Sequence, residues 1–415
     1  MQVYLRGPTL SAPQQEASST GADETRPESR IGRLWQDHRA MLTDAAVAFA
    51  VSRIIFYTVA IIAIFTIPEY TGDDYTPRDF ETHPLIDASM RWDAGWYVDI
   101  ARDGYEWDGE GEGSVAFFPL FPMLLKAALV VIPDSFLYLF AVLLNHAIFF
   151  VALLPVWLYA YRFGGRPVAQ RTLLFLCLFP TGFFFNAVYT EALFLLVSAT
   201  ALLALHRSNY LVAGAVGFLT SLTRPSGVLL GLPFLIQLWR DRTDDWRASV
   251  LRGWPIVLIP TGLFIYMGYL WYAFGRPLAF VEVQDAWGHV QMLPTTAIID
   301  SFRYLLETET RDVFFVMGAV NTFLTVWALV MAFVIIRSDS LGSSFAIGAI
   351  MMPLVAGVES MPVVSMARYV LILFPLFIPL AIWARNWSIH SLILAAFLPT
   401  HVMLLALFVR WYWVV

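Results

Sequence analysis

Eleven stretches of the chain are almost purely apolar, and that repetition leaves few ways to fold. They lie near residues 45–67, 136–161, 172–187, 190–206, 210–223, 226–239, 253–274, 313–336, 341–358, 369–384 and 388–409. Several reach the ~20 residues that cross ~30 Å of hydrocarbon. Only 14% of the 415 residues are charged, against about 25% in soluble domains. Aromatic residues make up 16%, with 15 Trp, which suits belts at two membrane interfaces. The expected fold class is an all-α polytopic membrane protein with about 11 transmembrane helices.

The charges between the runs set an orientation, because cytoplasmic loops are rich in Lys and Arg. Arg162, Arg166 and Arg171 share an acid-free loop. Arg207, the group Arg240, Arg242, Arg247 and Arg252, then Arg337 and Arg385 mark four more connections. All fall on one side only if 172–206 and 210–239 are helical hairpins, each two short passes with a turn at the outer face. Such thin hairpins predict tips that line a cavity, because irregular backbone at membrane depth needs protein or water around it. Residues 68–114 hold 13 acids and three Arg, and 275–312 hold six acids and three Arg. Both segments fit the opposite, external side.

The stretch 115–132 carries Pro119, Pro122 and Lys126 and reads as a re-entrant or interfacial helix rather than a span. The domain reading is a disordered cytoplasmic tail over 1–44 and a single transmembrane catalytic domain over 45–410. Within it, 68–135 forms the first external loop with its re-entrant helix, and 275–312 the second large external loop. The tail is polar, with Pro8, Pro13 and Pro27, and lacks the apolar core of a signal peptide.

Cys177 is the single cysteine, so a disulfide within the chain and a thiolate zinc site are excluded. The seven His are scattered without ligand spacing. The pair Asp73-Asp74 reads as a solvated turn beside Gly72. No metal and no cofactor are expected.

Residues 86–105 are predicted as one helix. At ~100° per residue, Met90, Ala94, Tyr97, Ala101 and Tyr105 share a stripe, widened by Trp96 and Ile100. Arg91, Asp99, Arg102 and Asp103 fall opposite. Asp93 projects from the apolar face, where an ionised carboxylate costs several kcal/mol unless compensated. A helix cap, or a pair with an Arg of another span, would be a structural explanation. A general base facing a closed site is the functional one. Its place inside the helical pattern, rather than before it, argues against a cap.

Further polar residues fall at the level of Asp93 in this topology. Glu191, after Asn186 and Tyr189, sits at the first hairpin tip. Arg224, in Thr223-Arg224-Pro225-Ser226-Gly227, sits at the second. Arg368 follows Ser365 where the tenth run begins, and Gln284 and Trp287 lie in the second large external loop. A lone Arg at a span end is ordinarily a snorkelling anchor. A carboxylate with two Arg beside an apolar groove points instead to phosphate chemistry on a lipid. A guanidinium donates two hydrogen bonds to a phosphate, and a carboxylate can take a proton from a sugar hydroxyl. A phosphate whose charge is stabilised leaves without a general acid. The midspan regions read as almost free of charge, which favours an enzyme with a one-sided site over a transporter.

The motif Arg91-Trp92-Asp93-Ala94-Gly95-Trp96-Tyr97 is followed by Ala101-Arg102-Asp103-Gly104-Tyr105 and Ala116-Phe117-Phe118-Pro119-Leu120-Phe121-Pro122. Together they resemble the first external loop of PIG-V-type mannosyltransferases, of the GT-C superfamily. The resemblance continues through Tyr189-Thr190-Glu191, Arg224-Pro225-Ser226-Gly227, Phe274-Gly275-Arg276-Pro277 leading to Gln284 and Trp287, and Arg368-Tyr369 before Phe374-Pro375. It spans roughly residues 45–385. It implies a GT-C-like fold and an inverting, metal-independent transferase. The implied reaction moves mannose from a polyprenyl- or dolichyl-phosphate carrier, with Asp93 as the catalytic base.

On this reading Arg224 and Arg368 bind the donor phosphate, and Trp96, Tyr97, Tyr189 and Trp287 shape the sugar pocket. Arg91, Glu191 and Gln284 complete the candidate substrate-binding set. The expected partners are a lipid-phosphate mannose donor, a glycolipid or lipid-linked acceptor, and the membrane, with no nucleic acid. The expected location is the plasma membrane, with the site facing the extracytoplasmic side. A transporter or flippase of lipid-linked sugars, or a non-catalytic assembly subunit, would be the alternatives.

Overall fold

The computed structural model describes residues 30–71, 78, 80, 82–309, 313–358 and 361–414, with side chains from residue 38. Most of the expected disordered tail (residues 1–29) and the Asp73-Asp74 pair lie outside the described residues. The chain divides into Met1–Arg39 and Ala40–Val415, and the second unit carries every side-chain contact below.

Helix α1 (Arg30–Thr66) leads into a loop holding α2 (Pro84–Asp87), α3 (Ala94–Arg102) and α4 (Leu120–Ala128). Helices α5 (Leu137–Tyr161), α6 (Arg166–Cys177), α7 (Glu191–His206), α8 (Tyr210–Thr223) and α9 (Gly231–Arg240) follow. Next come α10 (Trp246–Gly253), α11 (Leu258–Phe274), α12 (Ala279–Glu282) and α13 (Pro294–Glu307). The chain ends with α14 (Val313–Ile335), α15 (Ser340–Leu354), α16 (Met366–Leu371), α17 (Phe377–Trp383) and α18 (Trp387–Val409).

Five helical stretches are long and apolar enough to cross a membrane: 38–66, 134–161, 246–274, 313–335 and 387–409. The protein is a multi-pass membrane protein. Each of the eleven apolar runs holds a helix, but the other six helices are 7 to 16 residues long. At 1.5 Å per residue they rise only about 10–24 Å. Prolines set those limits. Pro180, Pro225 and Pro375 stand at or just past breaks in the helical backbone, where a missing N–H and a clash with the preceding turn stop a helix.

The first hairpin tip is embedded in protein. Every residue from 175 to 195 is buried, although 178–190 holds no α-helix. That is the condition for irregular backbone at membrane depth. Helices α8 and α11 approach closely through glycines. A Cβ at Gly214 would run into the Pro255 carbonyl, and one at Gly262 into that of Phe218. Ser221 Oγ donates to the Ile259 carbonyl across the same contact. Small residues at such a crossing let the backbones meet.

Two expectations need correction. The chain is not purely α-helical: His289–Gln291 (β1) and Ala356–Val358 (β2) pair antiparallel, Val290 opposite Gly357. The predicted helix 86–105 is two helices, with a break at Ala88–Asp93 between α2 and α3. Trp92 adopts φ 51° at that break, a left-handed conformation unfavourable for a bulky residue. No Gly or Pro marks the position, so the pattern ran through it.

Candidate active site

The break in the first loop puts Asp93 at the N-cap position of α3, yet its side chain makes no capping hydrogen bond. It turns instead to another part of the chain. Arg368 Nη1 donates to Asp93 Oδ2 at 2.7 Å. The same guanidinium donates through Nε to Glu191 Oε1 at 3.0 Å. Arg224 Nη2 lies 2.5 Å from that Glu191 oxygen, and Arg224 Nε donates to Thr190 Oγ1 at 2.9 Å. Two acids and two guanidinia therefore alternate in one chain, Asp93–Arg368–Glu191–Arg224, with no net charge. This arrangement satisfies the rule that buried charges are paired.

Each member arrives by a local device. Arg224 precedes Pro225, which biases it away from helix; it is extended at φ −156° and ψ 150° and ends α8. Arg368 lies in the short α16, which opens on Ser365 at φ 59°. Asn321 Oδ1 accepts from Ala367 N at 2.9 Å, and Thr181 Oγ1 donates to the Ala367 carbonyl at 2.9 Å. Glu191 is the first residue of α7, where a carboxylate also meets the positive end of the helix dipole. Two left-handed residues that are not glycine, Trp92 and Ser365, thus flank the carriers of Asp93 and Arg368. Strain of this kind concentrates where a site must be held in one geometry.

Tyr189 ties the pieces together. Its hydroxyl donates to the Arg91 carbonyl at 3.0 Å and accepts from Asp93 N at 3.2 Å. Its ring lies under the Arg368 guanidinium, 4.6 Å from the centroid. Val188 N donates to the Ser89 carbonyl at 2.9 Å, so the first loop and the α6–α7 tip share a backbone bond. Tyr97 OH lies 3.4 Å from Thr190 Oγ1. Burial, the largest influence, pushes the Tyr97 phenol well up and Arg224 opposes it. Tyr97 is therefore a neutral hydrogen-bonding group, not a base.

A small open cleft lies at this chain. Trp92, Asp93, Tyr189, Arg368, Phe408 and Trp413 line it. The Asp93 side chain is 31% exposed, whereas Glu191 is 0% exposed. Among the described residues Asp93 Oδ1 has no hydrogen-bond partner in the protein, and it belongs to the one acid that the cleft reaches. The arrangement offers one accessible carboxylate beside a guanidinium, with aromatic walls.

The predicted residues divide into three groups. Asp93, Tyr189, Glu191, Arg224 and Arg368 are brought together, with Tyr97 at the edge. Arg91 is buried and turned away: its Nε donates to the Val409 carbonyl at 2.8 Å, and its Nη1 lies 2.6 Å from Asp87 Oδ2. It fastens the first loop to the end of α18. Trp96 stacks on Phe117 at 5.6 Å, and Trp287 meets Phe117 edge-on at 6.4 Å. Gln284 Nε2 donates to the Phe280 carbonyl at 3.5 Å. None of these three lines the cleft; Phe117, which both tryptophans touch, also meets Tyr97 edge-on at 5.3 Å.

Sequence reasoning missed Thr190, Phe184, Phe408, Trp413 and Arg53. The last of these corrects the picture of charge-free midspans. Arg53 is buried in the middle of the 38–66 stretch. It donates to Asn186 Oδ1 and, at 3.1 Å, to the Phe185 carbonyl, and packs over Phe49 and Phe149. A charge at membrane depth with polar partners on a neighbouring tip was a readable signal.

Among the described residues no three His, Cys, Asp or Glu are grouped to hold a metal. The chain is 13% identical to a solved Archaeoglobus fulgidus oligosaccharyltransferase, with a TM-score of 0.44, over 88% of this chain and 53% of that one. A GPI mannosyltransferase 2 of Yarrowia lipolytica is 37% identical over 26% of this chain and 30% of its own. The Schizosaccharomyces pombe protein of that name is 27% identical over 50% and 49%. A GPI alpha-1,6-mannosyltransferase 2 of Mus musculus is 28% identical over 51% and 49%. The matches thus span about half the length of these curated relatives, or less. Residues 79–237, which hold Asp93, Glu191 and Arg224, match the model of the family described as Mannosyltransferase (PIG-V), and over that region this chain carries the family's sequence pattern.

Proposed function

We propose that the protein is an inverting glycosyltransferase that moves mannose from a polyprenyl- or dolichyl-phosphate carrier to a lipid-linked or glycolipid acceptor. The observation that carries the reading is Asp93 on the wall of an aromatic cleft, 2.7 Å from Arg368. The family match over the same residues supports it.

In this reaction Asp93 takes the proton of the acceptor hydroxyl, and the acceptor oxygen attacks the anomeric carbon of mannose. The bond from that carbon to the phosphate oxygen breaks, and the lipid phosphate leaves with the electron pair. Inversion follows from in-line displacement. Arg368, backed by Arg224, neutralises the leaving phosphate; a planar fork of donors suits that anion. The reading gives this task to guanidinia rather than to a metal. Trp92 and Trp413, the partly exposed rings of the cleft, offer faces for the sugar and the first isoprene units.

The site is read as external, and the short α6, α7, α8, α9, α15 and α17 as completing an eleven-pass bundle around it. A plasma-membrane location with the cleft on the extracytoplasmic side agrees with the Arg-rich loops at the other helix ends. To test the activity and name the acceptor, membranes with and without the protein receive polyprenyl-phosphate mannose labelled in the sugar. A labelled glycolipid that appears only with the protein is the expected result. Equal labelling in both membranes would remove the proposal.

A further inference from the structure

The two acids of the site are not equivalent, and the difference predicts what happens when a donor arrives. Glu191 is fully enclosed; its Oε1 receives both guanidinia, and among the described residues its buried Oε2 has no partner. Among the described residues Asp93 makes a single ion pair, through Oδ2, and its side chain is about one-third exposed. A phosphate entering the cleft competes for the Arg368 donors. Glu191 has nowhere to go, since leaving would strand a second buried anion oxygen. Asp93 has solvent and cleft beside it, so it is the partner that yields.

We infer that the donor phosphate displaces Asp93 from Arg368, while Glu191 stays in place as the positioning residue that keeps Arg224 and Arg368 aimed. The inference rests on the proposed transferase reading. Before the donor binds, Arg368 ties down Asp93 through Oδ2, and Oδ1 alone is open to the cleft. After it binds, Oδ2 is released as well, and both oxygens can face the acceptor. The carboxylate is thus freed to turn toward the acceptor once a lipid phosphate is in place.

The distinguishing feature is a sign. Asp93→Asn and Glu191→Gln remove the same charge from the same cluster. If Asp93 competes with phosphate and Glu191 positions its binders, the two substitutions act in opposite directions. The probe is a short-chain polyprenyl phosphate, the leaving group itself, titrated onto the full chain in nanodiscs. Asp93→Asn should bind it about tenfold tighter than the natural protein, equivalent to roughly 1.4 kcal/mol of competition removed. Glu191→Gln should bind it more weakly. In an Arg368→Gln background Asp93→Asn should give no gain, which a double-mutant cycle reads directly; this arm stands if Glu191→Gln does not fold. Equal or weaker binding by Asp93→Asn, or a parallel gain in both single variants, would overturn the inference while leaving the transferase reading intact. No binding by any form, the natural protein included, would overturn both.

Discussion

Arg368 and Asp93, 275 positions apart in sequence, meet at 2.7 Å on the wall of the cleft. That contact joins the first loop to the segment before α17, and Glu191 extends it to the tip between α6 and α7. Much of the energetics of the site depends on keeping this chain of charges complete.

Removing Glu191 leaves two guanidinia without their shared anion. Breaking a buried pair from one side is destabilising by about 3–5 kcal/mol. Glu191→Ala should therefore lower the melting temperature of the detergent-solubilised protein sharply, by tryptophan fluorescence. Arg303 is an internal control: it is 58% exposed and pairs with Asp300 at 2.6 Å. Arg303→Ala should change stability by at most about 1 kcal/mol.

Arg53 pins the tip that carries Tyr189 and Glu191. Arg53→Met keeps most of the side-chain volume but withdraws the donors to Asn186 and the Phe185 carbonyl. The Phe185 carbonyl keeps Asn145 Nδ2 as a donor, but the buried Asn186 Oδ1 loses its own, at a cost of about 1–3 kcal/mol. Amide exchange should quicken at 185–190, measured by mass spectrometry. Unchanged exchange there would mean that Asn145, the Val188–Ser89 bond and packing hold the tip without Arg53.

Tyr97 supplies a pH signature. Burial pushes its phenol up, against the opposing effect of Arg224, so the folded state keeps a proton that the unfolded chain loses above about pH 10. The sign follows: stability falls as pH rises past that value. Tyr97→Phe should flatten this alkaline loss in a series of denaturation midpoints, and leave the midpoints near pH 7 less affected. An identical alkaline slope in the variant would contradict the burial argument.

Much of this was legible in the residues, and the gaps have physical causes. The apolar runs give the helices because spanning segments need length and hydropathy above all. The oddness of Asp93 is visible because its neighbours Ala94, Tyr97 and Ala101 make an apolar stripe. The break before it is not visible, because left-handed Trp92 lacks the Gly that usually announces such a turn. Arg224 is legible through the proline behind it. The three-residue strands β1 and β2 carry too short a pattern to separate from loop. Arg91 looks like a site residue in sequence but is spent on Val409, a tertiary contact that no local pattern encodes.

The most direct test is mannose transfer by the purified protein in nanodiscs, with polyprenyl-phosphate mannose and the lipid extract that supplies the acceptor. The account predicts transfer by the natural protein, and a loss of about 10²–10⁴-fold or more in Asp93→Asn, the range for a general base, with its melting temperature retained. Transfer at the natural rate by Asp93→Asn would contradict it.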